Sequence, residues 1–343
     1  MMKTGKVFPI ILLVVLIVFP LAVESDYYRH LFILALMWVV IGAAWNLIAG
    51  YTGQVSFGDA AFFGTGAYTA GLINFHFGWS AWWGLALGGI AAALVALPFG
   101  WICFRLRGAY FALATLALNE VFRHTATIWE DLTEGMVGIM ILQTFISKLP
   151  YYYIALALAV STIVIVQLVM KSKLGYYFVS IREDQDAAES LGVNSTFYKM
   201  ISLGIAASLT GIAGALYMNY MGFIDPEVVF SLHDISIMAI LVGIVGGVGT
   251  VYGPAVGAFI MVIVQELFRT AGFGFIASAA KASGSKTFIA LAAYVTKAHV
   301  LGFGILVVLV IRYMPNGVVG DRHKFAEIFL RRKPREAAAR GRG

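Results

Sequence analysis

The chain has 343 residues, of which 60% are hydrophobic and only 12% charged, and its formal net charge is +6. An ordinary soluble domain carries about 25% charged residues, so this composition excludes a water-soluble globular fold and predicts an all-α polytopic membrane protein. Most of the positive excess falls on a basic tail at 322–343, which is expected to meet lipid headgroups and not nucleic acid.

A crossing helix needs about 20 mostly apolar residues. Windows bounded by charges or by Gly and Pro give about ten: 7–23, 31–49, 55–75, 81–104, 109–128, 151–170, 200–221, 234–249, 253–268 and 298–314. The first is too long for a signal-peptide core and lacks a small-residue cleavage site, so it reads as a span. Seventeen Lys and Arg, from Lys3 and Lys6 through Arg105, Arg107, Lys171, Lys173, Arg182 and Lys199 to the tail, fall on one side of this arrangement. The other side holds Arg29, Lys148, Arg269, Lys281, Lys286 and Lys297. The positive-inside rule then places both termini and the segment 172–199 in the cytoplasm. The membrane domain covers 1–321, and 270–297 is expected to be an outer-face excursion, either a docking patch or an interfacial helix.

Several segments carry more than hydropathy. Asn46 through Gly58 is rich in glycine, and with the following Asp59 it holds Thr52, Gln54 and Ser56, polar groups that need partners at membrane depth. A break in the helix beside a translocation path satisfies that need, and so does close helix packing with a turn. Gly246, Gly247 and Gly249 interrupt a second apolar stretch in the other half of the chain, and such paired interruptions point to a transport path. Glu120 with Arg123, and Glu266 with Arg269, repeat an amide-Glu-aliphatic-Phe-Arg pattern in which acid and base sit one helical turn apart. Each is expected either to neutralise itself as a helix-end anchor or to meet a zwitterionic substrate.

Between two apolar stretches lies a charged island, Ser180 to Gly192, containing Glu183, Asp184, Asp186 and Glu189. Helical spacing predicts that Ala187, Ala188 and Leu191 form one small apolar strip suited to another protein's groove, with Gly192 ending the helix. The six histidines show no metal-ligand spacing, and the single cysteine, Cys103, excludes an internal disulfide. No metal or cofactor is expected. Gly284-Ser285-Lys286-Thr287 lacks the order of a phosphate loop, so ATP hydrolysis by this chain is not expected, nor is any other enzyme activity.

Asp186-Ala187-Ala188 followed by Gly192 resembles the EAA loop of ABC importer membrane subunits, with Asp in place of Glu. Five ordered blocks resemble the branched-chain amino acid permease family, LivM type: Asn46 to Tyr68, Arg105 to Leu116, Ile181 to Val193, Gly246 to Ala258, and Arg312 to Val318. Thr133 to Ile139 and the long stretch 271–297 depart from that pattern. The resemblance implies a permease subunit of an importer that pairs with a second, homologous permease, two cytoplasmic ATPase subunits and a substrate-binding protein in a bacterial inner membrane. Glu183, Asp184, Asp186, Ala187, Ala188 and Gly192 would then couple to an ATPase. Asn46, Gln54, Ser56, Gly58, Gly246, Gly247 and Gly249 would border the path. Branched-chain amino acids are the implied cargo, with urea, short amides or small organic acids as alternatives. A secondary transporter driven by an ion gradient is the rival from another class.

Overall fold

The computed structural model describes residues 4–23, 25–267, 304, 312 and 317–320, with side chains from Leu13 onward. The elements are α1 (Thr4–Ala22), α2 (Asp26–Thr52), α3 (Asp59–Phe77), α4 (Trp83–Cys103), α5 (Ala109–Ile128), α6 (Glu130–Thr133) and α7 (Lys148–Lys171). There follow α8 (Lys173–Glu183), α9 (Gln185–Ser190), α10 (Ser195–Met221), α11 (Pro226–Val229), a π turn (Leu232–Ile237), α12 (Met238–Gly246), α13 (Gly253–Leu267) and α14 (Gly317–Gly320). Two short strands, β1 (Ile139–Met140) and β2 (Phe223–Ile224), pair antiparallel with Ile139 opposite Ile224.

The chain is therefore all-α and polytopic, with five stretches long and apolar enough to cross a membrane: α2, α4, α7, α10 and the composite Pro226–Gly246. Helices stand on nine of the ten predicted windows, and the tenth, 298–314, falls outside the described residues apart from Gly304 and Arg312. The expected excursion 270–297 and the tail 322–343 also lie outside the described residues. Two predicted boundaries move. The third window was drawn from 55, but its helix starts at Asp59 because Gly53 to Gly58 is not helical. The eighth was drawn to 249, but Gly247, at φ 129, ends α12 at Gly246.

Contacts between side chains and loops sort the connections into two sets. At one end Lys148 reaches Asp26 O, Trp82 bonds Thr144, His76 meets Leu132 O, and β1 pairs with β2. At the other end Arg182 reaches Gly50 O, Asn46 bonds Thr250 O, and Arg107 pairs with Asp186. Successive connections alternate between these ends from α2 to α13, so each long helix traverses the molecule. We call them the β end and the basic end, since the second carries Arg105, Arg107, Lys171, Lys173, Arg182 and Lys199.

The centre is built from α2 and α10, both 27 residues long and mostly buried, whereas α4 and α7 expose most of their surface. Apolar side chains gain nothing by leaving lipid for protein, so close contact has to hold these helices together. The sequence supplies it with small residues where α3, α4 and α10 meet. A Cβ added to Gly211 would stand 2.5 Å from Ala92 Cβ and 2.7 Å from Gly88 O, and one added to Gly66 would overlap the Gly211 carbonyl. Backbones therefore touch directly. At the edge, α1 is fixed by Tyr152 of α7, whose hydroxyl donates to Leu16 O at 2.7 Å.

The seam makes a prediction with an internal control. Gly66→Ala forces two backbones apart and should cost about 1–3 kcal/mol. Gly204→Ala, in the same bundle, meets nothing within 4 Å and should be neutral or stabilising by about 0.5–1 kcal/mol through helix propensity. Thermal unfolding of the two purified variants in detergent decides it, and equal melting temperatures would remove the seam's claimed role.

Candidate functional site: the basic end and the broken helix above it

The charged island is two helices and not one. α8 ends at Glu183, Asp184 is extended (φ −158°), and its Oδ1 accepts from Ala187 N at 3.0 Å to cap α9. Ser172 caps α8 and Asn194 caps α10 in the same way, so three successive helix starts are fixed by short polar side chains. Gly192, at φ 88, closes α9, and a side chain there would meet nothing within 4 Å. The strain of a left-handed backbone, and not crowding, is what favours glycine at that point.

The expected strip of Ala187, Ala188 and Leu191 is split. Leu191 is 86% exposed and Ala187 is also exposed, but Ala188 is 4% exposed and belongs to the chain's own core. The reason is that α9 packs back on α10. Lys199 on α10, itself buried, donates to Gln185 Oε1 at 2.6 Å; Gln185 Nε2 donates to Glu189 Oε1 at 2.8 Å, and Ser195 Oγ donates to the same carboxylate. The Ser195 and Gln185 bonds hold the Glu189 carboxyl below the usual carboxylate range. Asp186 is taken up by Arg107 at 2.9 Å, and Glu183 by Arg182 at 2.5 Å. None of Arg107, Arg182 and Lys199 was singled out from the sequence, although the first two stand within the quoted family blocks.

Arg182 joins this island to both glycine-interrupted segments. Its Nη1 donates to Gly50 O at 2.9 Å, in the last turn of α2, where helix carbonyls have no partner within the helix. Gly249 N donates to Asn46 Oδ1 at 2.8 Å while Asn46 Nδ2 donates to Thr250 O at 2.8 Å, tying α2 to the turn between α12 and α13. A Cβ on Gly50 would lie 2.6 Å from Gly249 N, and one on Gly249 would lie 3.1 Å from Arg182 Nη1. Of the predicted path residues, Asn46 and Gly249 thus meet directly, Gly246 and Gly247 flank them, and Gln54 stays apart, its side chain donating to Thr52 O at 3.4 Å and its backbone N–H to Ile48 O at 3.2 Å.

Ser56 and Gly58 belong to a second cluster deeper in the molecule. From Thr52 the chain turns back without helical structure, and Trp45 Nε1 reaches Ser56 O at 3.0 Å. Trp45 is seven residues above the end of α2, about 10 Å along the helix axis. Irregular backbone at that depth must be satisfied by protein. Thr115 Oγ1 accepts from Phe57 N at 3.0 Å, Ser56 Oγ from Gly58 N at 3.1 Å, and Ser236 Oγ from Ala60 N at 3.0 Å. Ser236 sits on the π turn, a rare form found often at functional sites. Asp59, at the first position of α3, is buried with Oδ2 unbonded among the described residues, and Asn119 Oδ1 is likewise unbonded. Asp59 stands with the polar groups expected to need partners here, whereas Thr115, Asn119 and Ser236 carry no such mark in the sequence, because only the packing of α5 and the π turn against the break brings them there.

Near the β end, Arg123 bonds Glu120 at 2.8 Å and also Glu227 at 2.6 Å, with His124 at 3.9 Å from Glu120. The pair forms as its spacing predicts, and Glu227 adds a third member from the segment after β2. Glu266 accepts from Tyr27 OH, while its expected partner Arg269 lies outside the described residues. Among the described residues no group of His, Cys, Asp and Glu has the arrangement to hold a metal ion, and Cys103 is buried as a free thiol.

Comparison with known proteins adds the family. The model of the branched-chain amino acid transport system permease component matches residues 27–311. The high-affinity branched-chain amino acid transport system permease protein LivM of Escherichia coli K12 is 28% identical over 294 residues, covering 77% of this chain and 68% of that one. LivM of Salmonella typhimurium is 27% identical over the same shares, and LivH of Escherichia coli K12 is 22% identical over 82% of this chain and 93% of its own. No solved structure matches the chain. With 285 consecutive residues matched, the chain belongs to the family of branched-chain amino acid transport system permease components, which are membrane transport permeases and not enzymes.

Proposed function

We propose that the chain is the LivM-type permease subunit of an ABC importer that carries branched-chain amino acids inward, and that it crosses a bacterial inner membrane about ten times with both termini in the cytoplasm. The single observation that carries the coupling part of this reading is the compact, capped segment 172–194, which presents Ala187 and Leu191 outward while polar bonds fix its base. The excess of Lys and Arg at the basic end supports a cytoplasmic position for that segment. Partners are a homologous second permease, two ATPase subunits docking on α9, a binding protein at the β end, and lipid around α4 and α7. The break at Gly53 to Gly58 and the turn at Gly247 to Tyr252 border the path. Glu120 and Arg123 remain candidates for contact with a zwitterionic cargo, in competition with their mutual pairing.

Three measurements test this. In proteoliposomes holding the permease pair, the ATPases and the binding protein, leucine uptake should require ATP and all three kinds of component; uptake driven by an ion gradient without the ATPases would overturn the reading. For orientation, on a Cys103→Ser background, a cysteine at exposed Ser190 should react only from the inside and one at exposed Ser80 only from the outside. Reaction of the first from outside would reverse the topology. For docking, Ala187→Trp adds bulk on the exposed face and should cut transport and stimulated ATP hydrolysis at least about tenfold, a loss of some 1.4 kcal/mol of coupling, with thermal stability unchanged. Ala188→Trp should lower thermal stability as well, because that position is filled by the chain itself. Normal transport by Ala187→Trp would remove α9 from the docking surface.

A further inference from the structure

We propose that Arg182 is the positioning residue through which movement of the docking helix α9 reaches both glycine-interrupted segments at once. The inference rests on the importer reading above and adds to it the route of transmission inside the membrane subunit.

Three properties single out this side chain. Its guanidinium is shared: Nε and Nη2 hold Glu183 at 3.0 and 2.5 Å, while Nη1 donates to Gly50 O at 2.9 Å. Glu183 is the last residue of α8, next to the Asp184 cap from which α9 starts. One planar fork therefore spans from the root of α9 to the end of α2. The acceptor at Gly50 is a carbonyl of the last helical turn, where a cation is favoured both by the missing intrahelical partner and by the helix dipole.

Next, the contact has little slack. Gly53, at φ 72, would bring a Cβ to 3.2 Å from Arg182 Cγ, and Gly249, at φ 73, would bring one to 3.1 Å from Nη1. Glycine on both sides lets two backbones close on one side chain. A shift of Arg182 by an ångström therefore either breaks the bond to Gly50 O or carries the end of α2 with it.

Finally, the two segments are already locked to each other. Asn46 accepts from Gly249 N and donates to Thr250 O, so a displacement of the end of α2 is passed to the turn between α12 and α13. Beyond Thr52 the chain continues directly into Gly53 to Gly58, which ends against Thr115 and Ser236. Arg107, bonded to Asp186, is a second tie between α9 and the body, but it leads to the start of α5 and touches neither glycine segment. By connectivity, Arg182 is the group that meets all three parts.

The test uses the complete reconstituted complex with Arg182→Ala and Arg182→Lys, and with Gly204→Ala as the control. Arg182→Ala should still co-purify with the ATPases and keep their basal hydrolysis, while substrate moved per ATP hydrolysed falls about tenfold or more, as expected when one charge-assisted hydrogen bond carries the coupling. Arg182→Lys can reach either Gly50 O or Glu183 but not both, and should recover part of the loss. Gly204→Ala, whose added Cβ meets nothing within 4 Å, should stay near wild type. Spin labels at exposed Val55 and exposed Ser190 should change separation with nucleotide in the wild type and in Gly204→Ala, and not in Arg182→Ala. Wild-type transport per ATP in Arg182→Ala overturns the proposal, as does a nucleotide-dependent label separation that persists in it. Loss of ATPase co-purification or of thermal stability in Arg182→Ala, with no rescue by lysine, would make the residue structural and also overturns it. If the wild-type complex itself shows no ATP-dependent uptake, it is the importer reading that fails.

Discussion

Every backbone N–H and C=O that leaves a helix at membrane depth has to find a partner inside the protein, because lipid offers none. The break between α2 and α3 is where this chain meets that demand most severely. Of the six non-helical residues at 53–58, Ser56 O is held by Trp45 Nε1, Phe57 N by Thr115 Oγ1 and Gly58 N by Ser56 Oγ, and the first turn of α3 that follows is held at Ala60 N by Ser236 Oγ. Three of these partners are short polar groups and the fourth is the indole of Trp45. The positions of α5 and of the π turn follow from this: they stand where they do so that Thr115 and Ser236 can reach the break.

The same demand explains why polar residues sit at the helix ends of the basic end while small residues fill the middle. Within the bundle, α3, α4 and α10 approach until their backbones touch at Gly66, Gly88 and Gly211. At the basic end the helices must stop, and each stop frees four carbonyls or four amides. Ser172, Asp184 and Asn194 take amides, and Arg182 takes a carbonyl. The polar chain from Lys199 through Gln185 and Glu189 to Ser195, together with the buried Ala188, then holds α9 on α10. Such a unit is stiff in itself yet attached by few side chains, a combination suited to transmitting a push as a rigid body.

Much of this was legible in the sequence because hydropathy and glycine placement are local signals. Nine predicted windows coincide with helices, the Glu120 and Arg123 spacing gives the pair, and the glycines at 50–58 and 246–249 mark the two interruptions. The errors have a common origin. Helical spacing alone placed Ala187 and Ala188 on one free strip, but which face of α9 is buried depends on α10, and Lys199 and Ser195 pull the Ala188 side inward. Likewise Asn46 was identifiable as a polar residue in an apolar helix, whereas its partners, Gly249 and Thr250, are more than 200 positions away. Thr115 and Ser236 carry no sequence mark that separates them from any serine or threonine in a span, where such residues commonly bond their own helix.

The distribution of contact also limits where the molecule can yield. A seam whose neighbours are backbone against backbone cannot slide without overlap, so α3, α4 and α10 are bound to move as one block. At the break the contacts from Thr115, Ser56 and Ser236 are single hydrogen bonds at 3.0–3.1 Å, each of which can lengthen or exchange for water at modest cost, whereas Gly50 and Gly249 meet backbone to backbone as the seam does. The mechanical contrast is thus built into the composition of each region: glycine against glycine in the seam and between Gly50 and Gly249, where the parts must move together, and serine and threonine at the break, where the chain can give.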